Sequence, residues 1–223
     1  MAADRRIVAV ALPLGFATLT ALVAARFGPL LHLDSGISDA ALRFTRSHHV
    51  WRAVMSAVTH SADHRVLLPA LLLAVAFAVW RRDRAGVVFL LAAAAAATVL
   101  RLTVLTLVHR PRPPERITAA AGWAFPSGHT TSATVAAGIL VVLLWPLLPS
   151  GRARAVLTAV AGLWAGLVGV SRVALAAHWP TDVLGGWLLA GSVLTVLAIV
   201  LRPRPRDALR PPPAGSPPGG DGP

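Results

Sequence analysis

Three short stretches of this chain carry side chains that could do chemistry: "HRPRPPER" at His109–Arg116, "FPSGHTT" at Phe125–Thr131 and "SRVALAAHWPTD" at Ser171–Asp182. Arg112 and Arg172 offer planar forks of N–H donors that match phosphate oxygens, and neither gives up its charge at any ordinary pH. In the second stretch Ser127 offers a hydroxyl and Gly128 lets backbone and ligand come close. The helix that starts there aims free N–H groups at an anion. His129 can give or take a proton near neutrality. In the third stretch Pro180 suits the first position of a helix, which puts Asp182 in the first turn, within reach of His178. A carboxylate on one imidazole nitrogen fixes the tautomer and leaves the other nitrogen free to attack. Two histidines, one carboxylate and several arginines make a plausible phosphoryl-transfer site without a metal.

The elements that must position these groups are membrane spans. The chain has 223 residues, 56% of them hydrophobic and 13% charged, with a mean hydropathy of +0.67. That is too apolar for a water-soluble domain. A span needs roughly 20 apolar residues. Five stretches approach that length: Ile7 to Ala25, Gly86 to Val108, Thr130 to Leu148, Ala155 to Val173 and Val183 to Leu201. A sixth, Val66 to Trp80, is short alone and extends backwards through the amphipathic Trp51 to His64. The expectation is an all-α bundle of six transmembrane helices over residues 1–206, followed by a disordered Pro/Gly-rich cytoplasmic tail over 207–223.

The formal charge of +12 comes from arginine alone, since lysine is absent. No soluble basic face or motif points to nucleic acid, and without cysteine there is no disulfide or thiolate ligand. The positive-inside rule places both termini in the cytoplasm. Arg5 and Arg6, Arg81 to Arg84, Gly151 to Arg154 and the run after the last span all then fall on the inner side. The three chemical stretches converge on the outer face of the plasma membrane. There Arg110, Arg112, Arg116 and Arg172 are on the wrong side for topology, and an anionic ligand is the simplest purpose for them. Taken singly, His48, His49, His109, Arg116 and Trp179 read as anchors or loop residues. Within the outer segment "HLDSGISDAALRFTRSHH" the apolar residues predict a helix lying against the membrane, as a lid or as a passive connector.

"RP" at Arg112, "PSGH" at Pro126 to His129, and Ser171–Arg172 followed by His178 and Asp182 resemble the three signature motifs of the type-2 phosphatidic acid phosphatase superfamily, the integral-membrane lipid phosphate phosphatases. The resemblance implies six spans. It gives His178 as a nucleophile that becomes a phosphohistidine, Asp182 as the group that orients it, and His129 as the acid and then the base. Arg112, Ser127, Gly128 and Arg172 would hold the phosphate. No metal or other cofactor is implied. One position departs: the family's first motif begins with a lysine seven residues before its "RP", where this chain has Leu105. Arg101, one turn deeper on the same helix face, is expected to replace that lysine in part.

The implied substrate is a lipid phosphate or pyrophosphate in the outer leaflet. Undecaprenyl pyrophosphate ranks first by analogy, ahead of phosphatidic acid and phosphatidylglycerol phosphate. A catalytically weakened binder or carrier of anionic lipids is the alternative, supported by Leu105 and opposed by the intact proton-handling set. A small-anion transporter is a third reading, opposed by the scarcity of charges in the middles of the spans. Oligomeric state is open.

Overall fold

A computed structural model describes residues 2–201 of the chain. Among them, eight α-helices run in order: α1 Ala2–Ala24, α2 Gly28–Ser47, α3 His49–His60, α4 His64–Trp80, α5 Arg84–Val108, α6 Gly128–Leu144, α7 Gly151–Ala174 and α8 Pro180–Val200. A short 3₁₀ turn, Trp145–Leu147, extends α6. The tail expected over 207–223 lies outside the described residues.

Five of these helices are long and apolar enough to cross a bilayer: α1, α5, α6 with its 3₁₀ turn, α7 and α8. The pair α3 and α4 passes the same test together and makes a sixth span if counted as one, bent by 41° at the break around Ser61–Asp63. The expected backward extension of the short apolar stretch is therefore present, but as a second helix set at an angle. Large apolar side chains such as Ile7, Leu14, Leu72, Leu73, Leu107 and Leu163 stay exposed on the bundle's outside, the surface a multi-pass protein gives to lipid tails.

α6 and α8 stand at the centre, with α8 packed on α1, α5, α6 and α7, and α6 on α4, α5, α7 and α8. The alanine-rich stretch of α5 explains its close approach. Leu90, Ala93 and Ala97 repeat at helical spacing and pack with Val135 and Ile139 of α6 and Leu189, Ala190 and Val193 of α8. Small residues let helix backbones come together where lipid supplies no hydrophobic drive between helices.

α2 is amphipathic, and its buried stripe is unusual: Asp34, Ser38, Leu42 and Thr45. It packs on α7, α8 and α3. The 19 residues between α5 and α6 and the short turn between α7 and α8 complete the same end of the bundle. α5 is closed by His109 in the left-handed conformation (φ 48°), and Ala176 (φ 52°) reverses the chain after α7.

α8 meets α6 at Gly186, where a β-carbon would lie 2.9 Å from Thr130 Cβ and 3.0 Å from the Ser127 carbonyl oxygen. We predict that Gly186→Val displaces the start of α6 and destabilises the bundle by about 1–3 kcal/mol. A lower thermal midpoint in detergent checks this, and an unchanged midpoint contradicts it.

Candidate active site

The turn between α7 and α8 presents His178 through its own backbone bonds. The Arg172 carbonyl accepts from Ala177 N–H at 2.9 Å and His178 N–H at 3.2 Å, which fixes the histidine to the end of α7. α8 then begins at Pro180, as its position suggests. Asp182 Oδ2 accepts the Trp179 N–H at 2.9 Å and so caps the helix start. Asp182 caps a helix and faces His178 with the same carboxylate.

His178 is 2% exposed and Asp182 is fully buried. Arg112 Nη1 donates to His178 Nε2 at 2.9 Å, so Nε2 carries the lone pair and the ring proton sits on Nδ1. Nδ1 lies 3.4 Å from Asp182 Oδ2 and makes no hydrogen bond. Burial, the largest cause, pushes the His178 pKa down to about 4. Asp182 opposes the shift, while Arg112 and Arg172 add to it. The imidazole is therefore neutral at working pH, with Nε2 basic and aimed at a guanidinium.

Arg112 is a hub. Nε donates to the Gly122 carbonyl at 2.9 Å, Nη1 to Ala177 at 2.8 Å and to His178, and Nη2 to Ala121 at 3.0 Å and Trp123 at 3.1 Å. All five of its N–H groups are in use. It folds the loop before α6 onto the histidine turn, and an anion must take over one of these donors to be held by it.

The opening of α6 brings Gly128 and His129 to the same place. His129 Nε2 faces Asp63 Oδ1 at 2.8 Å, which leaves Nδ1 as the other proton-handling atom. Arg172, 4% exposed, donates to Thr59 Oγ1 at 2.6 Å, and its Nε has no partner. Arg101 reaches up from within α5. A β-carbon on Gly128 would stand 2.8 Å from its Cζ and 3.0 Å from its Nε, so the close approach that glycine allows here is to this guanidinium. The Arg101 Nε is also buried without a partner.

These groups line one cavity of about 800 Å³ between α4, α5 and α6. Arg101, Arg112, Gly128, His129, Arg172 and His178 all border it, and Leu67, Leu68, Leu71, Leu102, Val135 and Ile139 form its apolar wall. Two buried guanidinium donors without partners beside an apolar wall suit an anion carried on a hydrocarbon chain. A larger cavity of about 1040 Å³ at α6, α7 and α8 contains none of these groups.

The structure departs from the expectations at two residues. The Ser127 side chain is fully buried and does not border the cavity, and its hydroxyl accepts from Thr130 Oγ1 at 3.0 Å. Its backbone N–H donates to the Asp182 carbonyl at 2.9 Å. Ser127 joins α6 to α8 here, in place of the phosphate contact expected of it. Arg110, expected to await an anionic ligand, is buried and paired with Asp34 and Asp182 at 2.5 and 2.6 Å. Sequence reasoning also missed Asp34, Thr59 and Asp63. For Asp34 the signal was a polar stripe along α2 where leucines would be ordinary; Thr59 and Asp63 gave none.

Comparison with known proteins bears on the family and the fold. Residues 85–206 match the family model described as the PAP2 superfamily. Phosphatidylglycerophosphatase B of Bacillus subtilis is 30% identical over 159 residues, covering 70% of this chain and 77% of that protein. The Escherichia coli protein of the same name is 40% identical over 75 residues, which is 34% of this chain and 28% of that one. Among solved structures, a transmembrane PAP2-type phosphatidylglycerolphosphate phosphatase from Bacillus subtilis superposes with a TM-score of 0.76 at 29% identity, covering 87% of this chain and 95% of that one. LpxE of Aquifex aeolicus shares the fold, with a TM-score of 0.58 at 23% identity, covering 78% and 96% of the two chains.

The depressed pKa of His178 has a consequence for stability. Below the ordinary value of 6.5 the unfolded chain binds a proton that the folded site refuses, so this contribution is present above pH 6.5 and is lost as pH falls towards about 4. We predict a thermal midpoint that drops over this range, with a shallower drop in His178→Gln. Parallel curves for the two proteins would contradict the assignment.

Proposed function

The chain belongs to the PAP2 superfamily and is a lipid phosphatase of the membrane, and from that premise we propose that it hydrolyses a lipid phosphate or pyrophosphate at the outer membrane face, through a phosphohistidine on His178. Both termini are cytoplasmic in this reading. The observation that carries it is the single cavity in which a neutral, lone-pair-bearing His178 Nε2, a second histidine and three arginines border an apolar wall.

The geometry supports the following chemistry. A phosphate oxygen takes over the Arg112 N–H that now rests on His178 Nε2, which frees that nitrogen as the phosphorus arrives. Arg101 and Arg172 supply the unpartnered donors for the remaining oxygens. Nε2 forms a bond to phosphorus as the bond from phosphorus to the lipid oxygen breaks, and His129 protonates the departing oxygen. The phosphorylated ring keeps its Nδ1 proton and is cationic, and Asp182 stabilises that charge. Water then attacks phosphorus while His129 accepts its proton, and the P–N bond breaks to release inorganic phosphate. The hydrocarbon chain lies along Leu67, Leu71, Leu102 and Ile139. Phosphatidylglycerophosphate is the first substrate to try, ahead of undecaprenyl pyrophosphate and phosphatidic acid, because it is named for the relatives found in two bacteria.

Purified protein in detergent should release phosphate from phosphatidylglycerophosphate with EDTA present, and His178→Ala should release none. Folded wild-type protein that is inert, or a His178→Ala variant that turns over, would end this reading. Arg101 makes a separate test. Arg101→Ala should lower kcat/KM about a hundredfold, as the loss of one preorganised donor does elsewhere, and Arg101→Lys should recover part of it. Unchanged turnover in Arg101→Ala would show that Arg101 is no replacement for the lysine absent at Leu105.

A further inference from the structure

Behind Asp182 lies a second carboxylate that the chemistry above does not use. Arg110 Nη1 donates to Asp182 Oδ1 at 2.6 Å, and its Nη2 donates to Asp34 Oδ2 at 2.5 Å. Thr181 closes the ring: its hydroxyl donates to Asp34 Oδ2 at 2.5 Å and accepts from Arg110 at 2.6 Å, and its N–H donates to Asp34 Oδ1 at 2.9 Å. Asp34 is 1% exposed, Asp182 0%, Thr181 5% and Arg110 6%. Asp34 comes from α2, far from the three motifs in sequence, and Arg110 from the loop after α5.

The arithmetic of charge gives this ring a purpose. Arg110 alone beside Asp182 would make a neutral pair and cancel the carboxylate at the moment the histidine needs it. With Asp34 the ring holds two negative charges and one positive, a net of −1, kept out of water where charges act strongly. Its exit is through Asp182 Oδ2, the oxygen 3.4 Å from His178 Nδ1. We infer that Asp34 is a positioning residue for the phosphatase reaction: by sharing Arg110 with Asp182, it leaves the catalytic carboxylate the negative charge that stabilises the phosphorylated, cationic His178. This rests on the reading of His178 as the nucleophile.

The test measures steady-state kcat and KM on phosphatidylglycerophosphate for the full chain in detergent, with each variant's thermal midpoint to establish folding. Asp34→Asn leaves a neutral Arg110–Asp182 pair and should lower kcat roughly ten- to a hundredfold, as loss of an outer partner does at other sites, with KM within about threefold of wild type. The double variant Asp34→Asn with Arg110→Gln restores the net −1 at Asp182 and should regain at least about fivefold in kcat over Asp34→Asn alone. A purely packing role predicts the reverse, because the double variant loses more of the ring. Wild-type kcat in Asp34→Asn, or a folded double variant no faster than the single one, would overturn the inference. Should Asp34→Asn not fold, the double variant decides: kcat within about tenfold of wild type supports the charge argument, and a loss as deep as that of Asp182→Asn overturns it. His178→Ala separates the two levels. If it retains turnover, the histidine reading fails; if it is dead while Asp34→Asn is unimpaired, only the role of Asp34 fails.

Discussion

A carboxylate with no exposed surface, beside a histidine, must find partners for both oxygens within the protein. Asp182 meets that demand with an arginine on one oxygen and a backbone N–H on the other. Removing such a charge from water is tolerable only when it is paired and hydrogen-bonded. Much of this end of the bundle follows from that requirement. α2 must be present to hold Arg110, the loop after α5 must deliver Arg110, and α8 must begin where its first turn faces His178. The helix cap at Asp182 and the carboxylate that faces His178 are one side chain, so the stability of α8 and the geometry of the site are not separable.

A second economy is visible at Arg112. Four of its N–H groups go to backbone carbonyls of residues 121–123 and 177, and the fifth to the histidine. Those bonds give an irregular loop the backbone partners that water would otherwise supply. Gly128 does related work across the cavity. Its missing side chain is the room in which the Arg101 guanidinium sits, so an arginine from within α5 borders the cavity.

Most of this was legible in sequence because the groups on the cavity come from contiguous motifs. Gly128 and His129 are neighbours, while Arg172, His178 and Asp182 lie on one turn and its flanking helices, and hydropathy alone separated the spans. What escaped was of two physical kinds. Asp34, Thr59 and Asp63 are partners at long separation, and a single carboxylate or hydroxyl has no periodicity that announces what it will touch. Ser127 and Arg110 belong to motif-like stretches, yet their side chains turn inward, because a helix start and a buried carboxylate each needed satisfying. Residue type gave the chemistry available at both positions, and only packing decided whether substrate or protein would use it. The bend between α3 and α4 is of the first kind, since it brings Asp63 at the break to His129.

The position of Asp182 on the last helix bears on how such a protein is made. Spans leave the ribosome and enter the bilayer in order, so Asp34, Arg110 and Arg172 arrive before the turn that joins them. Until α8 is inserted, this end of the nascent bundle holds charges without their final partners. The last helix is then a keystone laid after the rest of the arch, and assembly of the phosphatase is complete only when nearly the whole described chain has been translated. A truncated product lacking α8 would keep Arg110 on Asp34 but lose the second carboxylate of that cluster, a mark by which membrane quality control could distinguish an unfinished chain from a finished one.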